Sequence, residues 1–115
     1  MKVRVAENKD FVRLYGIEPP PKWRGYVGVN GSVIIGMGGI IESEAGNWGF
    51  FDAIPGAKVP VVIHRLAKRL LSEFNDTVNV VCDTKIANAE KWLLRLGFKQ
   101  TDEEYGYMKV WVRNG

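Results

Sequence analysis

Apolar and polar positions change period several times along this chain, and each change marks an element. Lys2 to Ala6 alternates polar with apolar residues, the period of a short half-buried strand. Phe11, Leu14 and Tyr15 then share a helix face that Asn8 can cap and Gly16 can end. Pro19-Pro20-Pro21 forces an extended crossing, because each proline disfavours helix in the residue before it. Trp23 to Gly39 reads as strand. Within it, Tyr26 to Val29 meets Asn30-Gly31, a pair suited to a type I′ hairpin turn, and Ser32 to Ile35 returns antiparallel. Gly36, Gly38 and Gly39 follow, where glycine in a strand marks a bulge or a close approach, and Ile40-Ile41 resumes the strand. Glu42 to Gly46 is polar and reads as a turn.

The stretch from Asn47 to Phe74 organises the rest. Trp48, Phe50, Phe51, Asp52 and Ala53 form a largely buried strand closed by the turn pair Pro55-Gly56. Val62, Ile63, Leu66, Ala67, Leu70, Leu71 and Phe74 recur at the spacing of a wide apolar helix face. His64, Arg65, Lys68, Arg69 and Glu73 fall on the opposite, solvent-facing side, and Pro60 suits the first turn. A strand feeding a helix through a tight loop aims the helix's free N–H groups at that loop, where they can hold an anion. Val78 to Cys82 is a further buried strand, ending at Asp83-Thr84. Ala89, Trp92, Leu93 and Leu96 mark a helix face that Gly97 stops. Phe98 and Lys99 open a terminal hairpin, Asp102 to Glu104 are expected to turn it, and Tyr105 to Arg113 return. The helix between the central strand and the next predicts a parallel pair with a right-handed crossover, and the rest of the sheet should be antiparallel. The fold class is α/β (α+β): a mixed, mostly antiparallel twisted sheet of about six to seven strands with three helices on its faces.

Composition narrows the function classes. At 115 residues, 46% of them apolar and 25% charged, the chain reads as a single domain over 1–115 of ordinary globular make-up. It has no apolar run long enough for a membrane span and no signal-peptide core at its start, so a cytoplasmic location is expected. Cys82 is the only cysteine, which excludes an internal disulfide, and one histidine with one cysteine does not make a metal site. Buried among valines, Cys82 reads as a small apolar residue rather than a nucleophile. The net charge of +3 favours anionic ligands but falls short of a nucleic-acid signature. Lys58, His64, Arg65, Lys68 and Arg69 nevertheless form a basic stripe. A solvated helix face is its first reading, with cofactor phosphates or nucleic acid as the others.

The element order resembles that of the GNAT family of N-acetyltransferases over nearly the whole chain. Asn88-Ala89-Glu90-Lys91-Trp92-Leu93-Leu94-Arg95-Leu96-Gly97-Phe98 is similar to that family's late helix, which ends in Leu-Gly-Phe before a terminal hairpin. Gly36-Met37-Gly38-Gly39 sits where family members carry small residues, and the compact form most resembles small GNAT-like proteins of bacteriophages. The resemblance implies acetyl-CoA bound where the central strand and the next one part. Its pantetheine would pair with backbone of Phe51, Asp52, Ala53 and Ile54. Its pyrophosphate would rest on Lys58 and the N–H groups of Val61, Val62 and Ile63, with Asn88 reaching it from the late helix.

The chain departs from the family at three places. Lys58 stands for an arginine, and Val59 and Val61 stand where the phosphate loop carries glycines, while Pro60 removes a donor. Leu93 occupies the position of the family's tyrosine acid. The carboxylates on offer as a base are Asp52 and Glu44. Two functions follow as expectations. One is acetyl transfer from acetyl-CoA to a primary amine of a protein or small molecule. The other is a non-catalytic phage protein that binds a host or virion protein. Behind both stands a nucleic-acid binder using the basic helix, a partner that the modest net charge argues against.

Overall fold

A computed structural model describes residues 2–54, 61–82 and 88–114. In chain order the elements are β1 (Lys2–Val5), α1 (Asn8–Tyr15), β2 (Trp23–Asn30), β3 (Val33–Ser43), β4 (Gly46–Ala53), α2 (Val61–Ser72), β5 (Val78–Cys82), α3 (Ala89–Arg95), β6 (Lys99–Tyr105) and β7 (Met108–Arg113). Among the described residues the strands form one sheet of seven, ordered β1-β2-β3-β4-β5-β7-β6. All neighbours are antiparallel except β4 and β5, which run parallel with α2 between them in the chain. The mixed sheet and the helix count are those the periodicity predicts.

Alternation along the strands sorts side chains onto two cores. Val27, Ile34 and Met37 pack with Phe11 of α1 on one face. Ile40, Val78, Cys82 and Trp111 pack on the other with Leu70 and Leu71 of α2 and with Leu93 and Leu96 of α3. Tyr26 and Val27 take opposite faces, and so do Phe50 and Phe51, as the twofold period of a strand requires. α1 therefore covers one face, and α2 and α3 lie side by side on the other.

Several local expectations are corrected. Glu7, not Asn8, precedes the first helical residue. Its backbone N–H donates to the Asp10 carboxylate at 2.8 Å, while Asn8 Oδ1 accepts the Trp23 indole N–H at 2.9 Å. Asp10 is 1% exposed and is held by Arg4 at 2.7 and 2.8 Å, so the buried carboxylate is both paired and used to start the helix. The β2–β3 loop is Gly31-Ser32 rather than Asn30-Gly31. Gly31 alone takes a positive φ there, the pattern of a type II′ turn. β3 continues to Ser43 and β4 starts at Gly46, so the turn between them shrinks to Glu44 and Ala45.

The terminal hairpin turns at Gly106-Tyr107, not at Asp102 to Glu104. Gly106 supplies the positive φ of 63° that the tight loop needs. Thr101, Asp102 and Glu103 instead bulge out of β6: Gln100 faces Trp111 and Glu104 faces Lys109, so these three residues oppose Val110 alone. Thr101 Oγ1 stitches this bulge by donating to the Val110 carbonyl at 2.7 Å and accepting the Glu103 N–H at 3.2 Å. A bulged, acidic β6 is poorly suited to pairing with a further strand.

Candidate active site

The parallel pair opens almost as soon as it forms. Among the described residues, β4 and β5 share the register pairs Asn47 with Val78 and Trp48 with Asn79, and no others. Beyond them, Gly49 to Ala53 remain paired with β3 and Val80 to Cys82 remain paired with β7, yet the two strands do not pair with each other. A slot therefore lies between Phe51–Ala53 and the end of β5. Its root is closed at Gly49, where a Cβ would come to 2.8 Å from Val80 Cγ1. The bare glycine lets Val80 lean over β4 at that point.

Backbone alternation says which groups line the slot. The Ile54 N–H donates to the Ile35 carbonyl at 2.9 Å, so even-numbered residues of β4 turn their backbone groups towards β3. Odd-numbered residues turn theirs the other way, as the Asn47 carbonyl does in accepting the Asn79 side chain. Of the residues expected to hold pantetheine, Phe51 and Ala53 thus present N–H and C=O to the slot. Asp52 and Ile54 direct theirs to β3. An unsatisfied strand edge of this kind fits an extended, amide-bearing chain.

Side chains bridge one face of the slot. The Phe51 ring lies over Gly38, where a Cβ would sit 2.9 Å from it, and this draws the ring towards β3. Trp92 of α3 stacks on Phe51 with ring centroids 5.2 Å apart. Its indole N–H donates to His64 Nδ1 of α2 at 3.0 Å. His64 is therefore half-buried and bonded, not the free solvent-facing residue that the helix pattern suggests. Because an indole N–H can only donate, Nδ1 must be the unprotonated nitrogen in this bond.

On the α1 face, Asp52 stands exposed at the open end of β4 and accepts the Tyr15 hydroxyl at 2.5 Å. Tyr15 is fixed by Phe11 and Phe50, with ring centroids at 4.7 and 6.0 Å. Burial first, and then the Asp52 carboxylate, push the Tyr15 phenol well above its ordinary range. The pair links α1 to β4 over 37 residues of chain, a juxtaposition with no signal in the sequence beyond Tyr15 lying on the inner face of α1.

Glu44 lies in the turn before β4, at the opposite end of that strand from the slot, and is not brought to it. Lys58 lies outside the described residues. Val61 to Ile63 form the first turn of α2, where backbone N–H groups are free of helix partners. Asn88 is exposed, takes a left-handed φ of 66° and starts α3. Leu93 is 8% exposed in the core, so no acid stands at that position of the late helix. A separate cleft of about 180 Å³ lies between Val5, Gly25 and Leu70, rimmed by Arg24 and Glu73, which pair at 3.0 Å. It does not touch the slot. Among the described residues no cluster of acidic, histidine or cysteine side chains can hold a metal, and no helix is long and apolar enough to cross a membrane.

A seven-stranded sheet with a parted parallel pair, α1 on one face and two later helices on the other, is the fold of the GNAT acetyltransferases. One solved structure with this fold is a Bacillus subtilis acetyltransferase in complex with CoA. It superimposes with a TM-score of 0.63 at 12% identity, covering 99% of this chain and 98% of that one. Another is a GNAT-family acetyltransferase from Staphylococcus aureus Mu50, with a TM-score of 0.62 at 13% identity, covering 80% of this chain and 68% of that one. Neither a family model nor a curated protein matches the sequence.

Proposed function

We propose that this chain is a GNAT-type N-acyltransferase that moves an acetyl group from acetyl-CoA to a primary amine. The observation that carries the reading is the β4 edge at Phe51 and Ala53, unpaired among the described residues beside a β5 that has already parted from it. Acetyl-CoA would supply an activated acyl thioester and a pantetheine arm whose amides match that edge. The Phe51 and Ala53 backbone would orient the arm, and Lys58 with the N–H groups of Val61 to Ile63 would hold the pyrophosphate, aided by Asn88. A backbone N–H on this rigid strand can also stabilise negative charge developing on an acyl oxygen. Trp92 and Phe51 keep water from one face of the slot. Asp52, steadied by Tyr15 on the uncovered face, is the carboxylate placed to accept a proton from an incoming ammonium. With the apolar Leu93 in the tyrosine position, the late helix would offer no side chain to protonate a departing thiol, and general-acid help worth roughly two to four powers of ten would be forgone.

Isothermal calorimetry tests this. Saturable binding of acetyl-CoA, weakened by Lys58→Glu, is expected. No heat at millimolar ligand overturns the reading, and an unchanged affinity in the variant removes Lys58 from the pyrophosphate site. A second reading is a non-catalytic GNAT-fold protein, of phage origin, that binds a host or virion protein. The buried Leu93 and the His64–Trp92 bridge across the two helices favour it, and it predicts no acetyl-CoA binding at all.

A further inference from the structure

We propose that the outer face of α2 and α3 binds the phosphodiester backbone of a nucleic acid. Periodicity along the sequence assigns a basic stripe to α2 alone. The fold doubles it. Trp92 meets His64 in the first turns of the two helices, and Arg113 donates to the Leu71 and Leu96 carbonyls at their last turns, both at 3.2 Å. The helices therefore lie side by side and point the same way.

A residue advances roughly 100° around a helix. Lys68 follows His64 by one turn, so it borders the seam between the helices. On α3, Arg95 lies roughly 60° from Trp92 and Lys91 roughly 100°, on the outer side away from the buried Leu93, whereas Glu90 and Leu94 lie roughly 160° from it. Arg65 and Arg69 crest α2 beside Lys68. The result is two rows of cations flanking one seam, with successive charges about one helical turn, or 5–6 Å, apart.

Arg65, Lys68, Arg69, Lys91 and Arg95 are all exposed, and none makes an ion pair or side-chain hydrogen bond among the described residues. Arg4, Arg24 and Lys109, by contrast, are ion-paired, with Asp10, Glu73 and Glu104. Glu90 is the one carboxylate on the described part of α3, and Glu73 beyond α2 is already bound to Arg24. Five cations against Glu90 exceed the +3 of the entire chain, so the remainder is net negative. α3, at 7 residues, limits the shared seam to about 10 Å, which spans about three nucleotide steps of a duplex strand. With cations but no exposed ring along the seam, the contact is to backbone and is indifferent to base sequence. A line of unpaired charges matched to a line of phosphates selects this partner over an acidic protein surface, whose carboxylates carry no such regular spacing.

The test is fluorescence anisotropy of the full chain with a labelled duplex DNA of about twenty base pairs, across a salt series. If the five cations engage, log affinity falls against log salt with a slope of about −4.5, and Lys68→Gln/Arg69→Gln/Arg95→Gln lowers that slope by about 2 to 3. An unchanged urea midpoint shows that the variant is folded, and Arg65→Gln/Lys91→Gln serves if it is not. No binding at low salt, a flat salt response, or equal slopes for variant and parent overturns the proposal. So does tighter binding to polyglutamate, or displacement of the duplex by stoichiometric acetyl-CoA, which would assign the patch to a cofactor's phosphates. Acetyl-CoA binding that fails while the salt slope holds defeats the transferase reading and leaves this one standing.

Discussion

Tyr15 and Asp10 are two side chains whose ionisation is tied to the fold, and they act at opposite ends of the pH scale. The Tyr15 phenol is held neutral by burial and by the Asp52 carboxylate that accepts its hydrogen bond. A folded-state value above the ordinary 10.0 means that its stabilisation is complete below that pH and is lost as the pH rises through the folded value. Tyr15→Phe keeps the ring against Phe11 and Phe50 and should cost about 1 kcal/mol at neutral pH, since Asp52 is exposed. Its urea midpoint should also fall less steeply than the parent's in alkali; parallel curves would mean that the bond is not populated in solution. Asp10 is the reverse case. Arg4, and then the Glu7 N–H, hold its carboxyl below the ordinary 3.8 against the cost of burial. That stabilisation is present above the ordinary value and disappears as the pH falls through the folded one. Asp10→Asn should therefore be less stable at neutral pH by roughly 1–3 kcal/mol, below the usual cost for a fully buried pair because Arg4 stays half-exposed. In acid the gap between the two melting curves should close.

At the scale of elements, most of what the periodicity predicts is present, because strands and helices are set by short-range sterics and one-sided burial. Val78 to Cys82 is a strand with the bounds expected, and α3 ends where Gly97 takes a φ of 93°. The errors fall where neighbours outvote local chemistry. Asp102 to Glu104 have turn composition, yet the ladder to β7 keeps Asp102 and Glu103 in a bulge and pairs Glu104 with Lys109, while Gly106 supplies the turn. His64 sits on the polar side of α2 by pattern, but α3 brings Trp92 to it. The slot itself depends on an element boundary: β4 and β5 pair only as far as Trp48 and Asn79, and Val80 packs over Gly49 just beyond. Gly49→Ala would set a methyl 2.8 Å from Val80 Cγ1 and should destabilise by about 1–3 kcal/mol through overpacking. Chemical denaturation would measure it. Restoration of stability by a compensating Val80→Ala would identify the pair as the root of the slot, and no rescue would place the strain elsewhere.

Over the whole molecule, the position of charge matters more than its sum. The acidic bulge of β6 and the cationic seam of α2 and α3 occupy different elements, and a net +3 conceals both. The sequence by itself determined the element order, the two apolar faces of the sheet and the parallel pair, since each follows from residue spacing and chain connectivity. It also raised the expectation of departures from the GNAT pattern at Lys58 to Val61 and at Leu93, because a position along the chain is all that such an expectation requires. Only the tertiary structure decided that β4 and β5 part after Trp48 and Asn79, that Tyr15 reaches Asp52, and that α3 lies beside α2 with its cations on the outer side. These are distances between residues tens of positions apart. They are set by packing of the finished fold, which no local spacing encodes.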